Sequence, residues 1–378
     1  MSTDQLAEVY GGPYGPPHSV FALIEQGLRN DPHGPATISM HQPPGLYSDL
    51  ANDGESNDNN VDNPECLTWT YTQLHRAALK FAAGLMALGI EPGMRIATLF
   101  PNGVQFPLTL WMTAALRLTA CHLDPGAVSE ARKEELAKYM TSIKPDVVVV
   151  VDRQAAKAVD DVLQNHPRVK IIIDPEYKPS ESSAWTSLQH LATSSSMSSA
   201  EEEKLLDSAR NHDSPSRLAS ILFTSGTSSG NPKGCPRHVT STTHHLTTQK
   251  YARHGFDTSS RILQSSMNFR GIATSVTTHA WAAGAATVIS DPTAGIAGQI
   301  DAIRKHRITY ILFIPALLYA MTAHPEFKDL DTSCLKDAQI GGDMCTRDIL
   351  QKARDAFPHT EVINCHGMTE VSPPIFSP

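Results

Sequence analysis

The chain has 378 residues and a net charge of −8, with 40% hydrophobic, 19% charged and 6% aromatic residues. That length suggests two or three structural units, and the composition excludes wholesale disorder, a collagen-like repeat and a coiled coil. The acidic balance offers no global positive field for nucleic acid or anionic lipid, so a phosphate ligand would need a local device. Six scattered cysteines, Cys66, Cys121, Cys235, Cys334, Cys345 and Cys365, include no C-x-x-C pair, which argues against a zinc site and a disulfide framework. The N-terminus has neither the basic nor the apolar region of a signal peptide, and the last three residues are not a peroxisomal tripeptide. Two long uncharged stretches, 96–116 and 271–290, are interrupted by Pro101, Gly103 and Pro107 or dominated by Ala, Thr, Ser and Gly. Neither reads as a spanning helix. The expectation is a soluble, cytoplasmic protein with no membrane span and no nucleic-acid partner.

After a Pro/Gly-rich entry, 21–30 reads as a short helix, and the Asn/Asp-rich run 52–64 as a mobile surface loop. Thr72 can cap a helix whose apolar positions Leu74, Ala78, Phe81, Leu85 and Leu88 follow helical spacing, with Gly89 to end it. A strand over 95–100 and helices over 104–116 and 130–142 follow. The β-branched run 147–151, a helix near 153–165 and a strand over 169–173 come next. Strands that are apolar throughout, alternating with helices, indicate buried, mostly parallel sheets. The Ser-rich stretch 193–200 makes 178–216 look like a linker around one acidic helix. Beyond it lie strands at 218–224, 286–290, 308–313, 337–340 and 361–364, separated by helices near 299–306, 317–323 and 347–357. The expected fold is α/β, with two packed αβ subdomains at 66–177 and 217–378, the linker 178–216 between them and an N-terminal extension over 1–65.

The most informative segment is ILFTSGTSSGNPKGCP, residues 221–236. An apolar strand ends in Thr224, Ser225, Gly226, Thr227, Ser228, Ser229 and Gly230, followed by Lys233 and Gly234. Glycines let a backbone approach a ligand closely, consecutive N–H groups form an anion-binding concavity, and a lysine supplies mobile positive charge. In an acidic protein this is a device for polyphosphate. The bland alternative is a Gly/Ser/Pro surface loop. A Walker A loop fails because Gly234 follows Lys233. A serine hydrolase elbow at Ser228 fits the pattern G-x-S-x-G, but Pro232 and Pro236 fall where the elbow's helix would begin.

Thr224–Thr227 followed by Pro232-Lys233-Gly234 resembles the phosphate loop of the AMP-forming adenylating enzymes, which include acyl- and aryl-CoA synthetases, luciferases and peptide-synthetase adenylation domains. The resemblance runs from about Leu67 to the C-terminus, through the early helix of 67–93 and the Phe313-Ile314-Pro315 segment. One departure is the spacer 228–231, four residues where the family usually has three. Gly341-Gly342-Asp343 resembles the family's adenine-side turn, and Asn364-Cys365-His366-Gly367-Met368-Thr369-Glu370 its YGxTE motif, with His366 in place of tyrosine.

By that resemblance the nucleotide would be held by Thr224–Ser228, Gly230, Lys233, Gly341–Asp343 and His366–Thr369. Lys233, Thr369 and Glu370 would be catalytic, and Thr227 and Glu370 would hold Mg²⁺. Asn268, Arg270 and Gly271 would line the substrate pocket, Asn268 at a position where relatives often carry histidine. Arg270 favours an acid without an α-amino group over an amino acid, the alternative being a solvated loop residue. The implied reaction joins a small carboxylic acid to coenzyme A or another thiol through an acyl-adenylate, using ATP and Mg²⁺. The chain ends eight residues after Glu370, whereas full-length relatives continue into a β-rich subdomain and a mobile lid domain. The expectation is therefore an N-terminal part of such a ligase, self-associating or docking a separate C-terminal portion. The alternative is a non-catalytic nucleotide- or acyl-binding paralogue that acts through a partner. His238, His244, His245 and His254 lack an H-E-x-x-H pattern and read as solvated helix and loop residues.

Overall fold

Four consecutive valines, Val147–Val150, form a strand buried at every residue. Val147 and Val149 enter one apolar cluster and Val148 and Val150 another, so the strand carries a core on each face. The computed structural model describes residues 19–52, 65–164, 167–224, 232–248 and 255–376. Its strands are β1 (Pro35–Ser39), β2 (Leu67–Thr70), β3 (Arg95–Leu99), β4 (Thr119–His122), β5 (Val147–Val150), β6 (Val169–Ile172), β7 (Thr186–Ser187) and β8 (Leu218–Phe223). They continue with β9 (Gly234–His238), β10 (Arg261–Leu263), β11 (Ala286–Ile289), β12 (Tyr310–Phe313), β13 (Asp337–Ile340), β14 (Glu361–Met368) and β15 (Val371–Phe376). One sheet has the order β15-β14-β13-β12-β10-β11-β1-β2 and the other β7-β6-β5-β3-β4-β8-β9. Pairing is parallel except at β1/β2, β14/β15 and β8/β9.

A helical layer lies between the sheets. The largest cluster joins Ile96, Val149 and Ile171 of one sheet to Ala36, Leu67 and Trp69 of the other, through the helices Tyr71–Ala87 and Gln105–Leu116. Gln105–Leu116 is buried along its whole length, and Pro107 sits in its first turn, where its missing N–H costs no helical bond. At the centre the Trp111 indole N–H donates to His75 Nδ1 at 3.1 Å, and its ring meets Trp281 edge-on at 5.2 Å. Truncating a fully buried tryptophan of this kind costs about 3–5 kcal/mol. Outer helices, among them Gly295–His306 and Arg347–Ala356, cover the opposite face of the eight-stranded sheet.

The chain does not divide in sequence order as expected. β8 pairs with β4 through Ala120 and Ser220, so it extends the first sheet rather than opening the second. β1, from the N-terminal extension, pairs with β11 in the other sheet. Nor is 178–216 a free linker, because Trp185, Leu188, Leu191, Leu205 and Leu206 are buried. Arg210, in the helix Ser199–Asn211, forms a two-pronged ion pair with the buried Glu25 at 2.5 and 2.8 Å. Ser198 serves as that helix's cap, in a reciprocal box with Glu201. The early helix is capped by Thr70 with Gln73 rather than by Thr72, whose hydroxyl donates to Pro32 O. Gly89 does end it, at φ +76°. The Asn/Asp-rich loop lies outside the described residues from 53 onward. Among the described residues no helix is long and apolar enough to cross a membrane.

Candidate nucleotide site

β8 and β9 are antiparallel neighbours, and two hydrogen bonds close the neck between them. Thr224 N–H donates to Lys233 O at 3.0 Å, and Lys233 N–H donates to the Thr224 hydroxyl oxygen at 3.0 Å. Ser225, Gly226, Thr227, Ser228 and Gly230 lie outside the described residues. Lys233 is exposed where the chain re-enters the sheet. Ser228 itself lies outside the described residues, but the chain resumes at Pro232 and enters a strand at Gly234 rather than a helix, which counts against the hydrolase reading.

The second component sits at the carboxyl ends of β13 and β14, the edge where open α/β sheets bind ligands. Gly341 N–H donates to Phe313 O at 3.0 Å. A Cβ at Gly341 would lie 2.5 Å from the Cys365 carbonyl oxygen, so only glycine lets the two segments approach. Gly342 has φ +79°, and the exposed Asp343 accepts from Met344 N–H at 2.7 Å. β14 runs to Met368, four residues beyond the expected end, and turns back at Thr369-Glu370 into β15. His366, Gly367, Met368 and Glu370 are exposed, and Thr369 is half-buried.

Arg237, on β9, joins the two components by donating from Nη2 to Thr369 O at 3.0 Å. The Cys235 thiol is pushed up by burial first and then by the nearby Glu370 carboxylate, with Arg237 and Lys233 opposing. A carboxylate and two cations therefore share this neighbourhood. A carboxylate oxygen suits Mg²⁺, which commonly takes few protein ligands together with substrate phosphates.

The three acid-side candidates are placed differently from one another. Asn268 is buried, and its amide donates to Phe100 O at 2.8 Å. Its backbone N–H donates to Asn102 Oδ1 at 2.8 Å, while Asn102 donates to Ser266 O at 2.9 Å. This clasp ties the loops after β3 and β10, so the Asn268 side chain is committed to backbone. Gly271 begins the helix Gly271–Ala283 under Leu222 of β8, again a packing position. Arg270 is exposed, with its guanidinium over the Phe269 ring at 5.1 Å.

The histidines divide as well. His238 and His244 are exposed, and His254 lies outside the described residues. His245 corrects the expectation, being buried with its ring edge-on to His279 at 4.5 Å. Among the described residues no His/Cys/Asp/Glu cluster could by itself hold a metal ion.

Residues 55–378 match the family model described as AMP-binding enzyme. The chain belongs to the AMP-binding enzyme family. This AMP-binding chain is 35% identical over 368 residues to an acyl–CoA ligase of Pestalotiopsis microspora, covering 96% of its own length and 63% of the relative's. It is 24% identical over 322 residues to a 4-coumarate–CoA ligase of Pinus taeda, covering 83% of itself and 55% of that protein. It thus spans between half and two thirds of the length of these two relatives. The fold matches a luciferase-like enzyme from Zophobas morio with a TM-score of 0.71 at 17% identity, over 95% of this chain and 74% of that one. The fold also matches the N-terminal domain of FACL13 from Mycobacterium tuberculosis with a TM-score of 0.66 at 20% identity, over 93% of this chain and 76% of that one.

Proposed function

We propose that the protein is an AMP-forming acid–thiol ligase that activates a small carboxylic acid with ATP and passes the acyl group to coenzyme A or another thiol. The observation that carries this reading is the junction of two motifs, 132 residues apart at the Arg237–Thr369 contact, one from each sheet. In this reading Thr224–Gly230 and Lys233 hold the β- and γ-phosphates. Thr369 donates its hydroxyl to the α-phosphate, and Gly341–Asp343 with His366–Met368 form the adenine side. Glu370, with Thr227, holds Mg²⁺, which supplies charge neutralisation when bound.

The carboxylate oxygen of the acid attacks the α-phosphorus, the bond to the bridging oxygen breaks and pyrophosphate leaves. The thiol sulfur then attacks the acyl carbon and AMP departs. Positioning and charge neutralisation carry most of such a reaction. On the acid side, Arg270 is the exposed cation available to the substrate, with Asn268 and Gly271 shaping the wall behind it.

Calorimetry of ATP with Mg²⁺ on the 378-residue chain tests the reading. Lys233→Ala and Glu370→Ala should each weaken binding roughly 10- to 100-fold, the scale of one charge-assisted contact. Two variants that bind like the parent would overturn it.

A further inference from the structure

We infer that Arg237 is a positioning residue that fixes the Thr369–Glu370 turn relative to Lys233, an inference that rests on the reading above. β14 is held by β13 only as far as the Ile340–Asn364 pair. The turn lies five and six residues past Asn364, and the pairing of Cys365–Met368 is with β15. The hairpin tip therefore projects beyond the parallel sheet, where no ladder among the described residues ties it to the strands that carry the rest of the site.

Arg237 is placed to make that tie. On β9, Gly234, Pro236 and His238 are exposed while Cys235 and Arg237 share the half-buried face, as strand alternation requires. Opposite it the β8/β9 register shifts between Leu218 and Ser220, an irregularity of the kind that re-aims side chains near functional sites. From there the guanidinium crosses from one sheet to the other and donates to Thr369 O at 3.0 Å. A hydrogen bond from a charged donor is among the stronger ones, and this one spans the gap between Lys233 and Glu370. Without it the turn keeps its chemical groups but not their distance from Lys233.

The test compares the parent chain with Arg237→Gln and Arg237→Lys. Amide exchange is followed by mass spectrometry over 361–372, and ATP affinity is measured with Mg²⁺ and with the metal chelated. Faster exchange at the turn is expected in Arg237→Gln, with ATP affinity about tenfold weaker in Mg²⁺. The loss should be clearly smaller without metal, because Glu370 matters through the ion. Arg237→Lys should recover part of both. Arg237→Met, which keeps the aliphatic stem, replaces the Gln variant if that variant does not fold. Parent-like exchange and affinity in the variant would overturn the inference alone. Equal losses with and without Mg²⁺ would reduce Arg237 to a structural role and overturn it too. A parent chain that binds no nucleotide would overturn the ligase reading, and the positioning role with it.

Discussion

Gly341→Ala perturbs the turn proposed to form the adenine side by a single methyl group, and its effect can be worked from the geometry. The new Cβ would stand 2.5 Å from the Cys365 carbonyl oxygen, against about 3.4 Å for ordinary contact, so the segments must part by about 0.9 Å. The Gly341 N–H to Phe313 O bond is 3.0 Å long, and Ile340–Asn364 is the last pair between β13 and β14. A shift of that size breaks one ladder bond or displaces the strand end. Overpacking costs about 1–3 kcal/mol and a lost backbone bond about 1. The reduced entropy of an unfolded alanine returns up to about 1 kcal/mol, which leaves a net destabilisation of about 1–3. At about 2.1 cal/mol/K per residue, Tm should fall by about 1–4 °C if the chain melts as one unit. ATP affinity should fall more sharply, because the displaced strand carries His366–Glu370. The Cys365 Sγ also stands in the way of the new Cβ, so adding Cys365→Ala removes that part of the contact but leaves the carbonyl, and rescue should be partial. Scanning fluorimetry and calorimetry read both effects. A Gly341→Ala chain that melts and binds like the parent would refute the close-approach account.

Asn268→Ala should cost about 1–3 kcal/mol by leaving Phe100 O without its 2.8 Å donor. A double-mutant cycle with Asn102→Ala should be non-additive, and strict additivity in denaturant melts would dismiss the clasp. Burial holds the imidazoles of His75 and His122 at about 4 and that of His245, with help from His279, at about 2, against an ordinary 6.5. Below about pH 6.5 the unfolded chain binds protons that these folded side chains refuse, so their contribution is complete above that value and is lost as pH falls. Each adds up to about 1.4 kcal/mol per pH unit to the acid-side slope, and His245→Gln should remove one such share from a Tm-versus-pH series. An unchanged slope would mean that His245 is not held neutral by the fold. A fluorophosphonate probe should leave Ser228 unlabelled, since β9 stands where an elbow helix would be. Stoichiometric labelling lost in Ser228→Ala would restore the hydrolase reading.

Apolar strands and amphipathic helices are visible in the sequence because burial on one or both faces leaves a period, and Val147–Val150 and Tyr310–Phe313 are legible for that reason. The partner of a strand leaves no such mark. Nothing within Leu218–Phe223 says that it pairs with β4 rather than with later strands, and β1 begins at a proline that argues weakly for any strand. β15 carries Pro373 and Pro374, which count against a central strand but are tolerated at a sheet edge, where it lies. Its absence from the sequence reading is why Thr369 and Glu370 were legible as a motif but not as a hairpin tip.

The same difference separates the residues that sequence reasoning found from those it missed. Glycines, hydroxyls and a lysine at fixed spacing declare their chemistry locally. The roles of Asn102 and Arg237, and the clasp role of Asn268 that replaces its expected pocket role, come from where the two sheets bring distant loops together. A lone arginine in an edge strand reads as solvated, and the polar run VTSTTHHLTT gives no sign that His245 faces His279 inside. The proposed phosphate loop and the Thr369–Glu370 turn thus carry separate local signals, while the placing of Lys233 against that turn depends on inter-sheet contacts that no local signal encodes. Substitutions at such contacts should alter how well the motifs act together while leaving every motif residue intact, and the Arg237 variants separate that effect from damage to either motif.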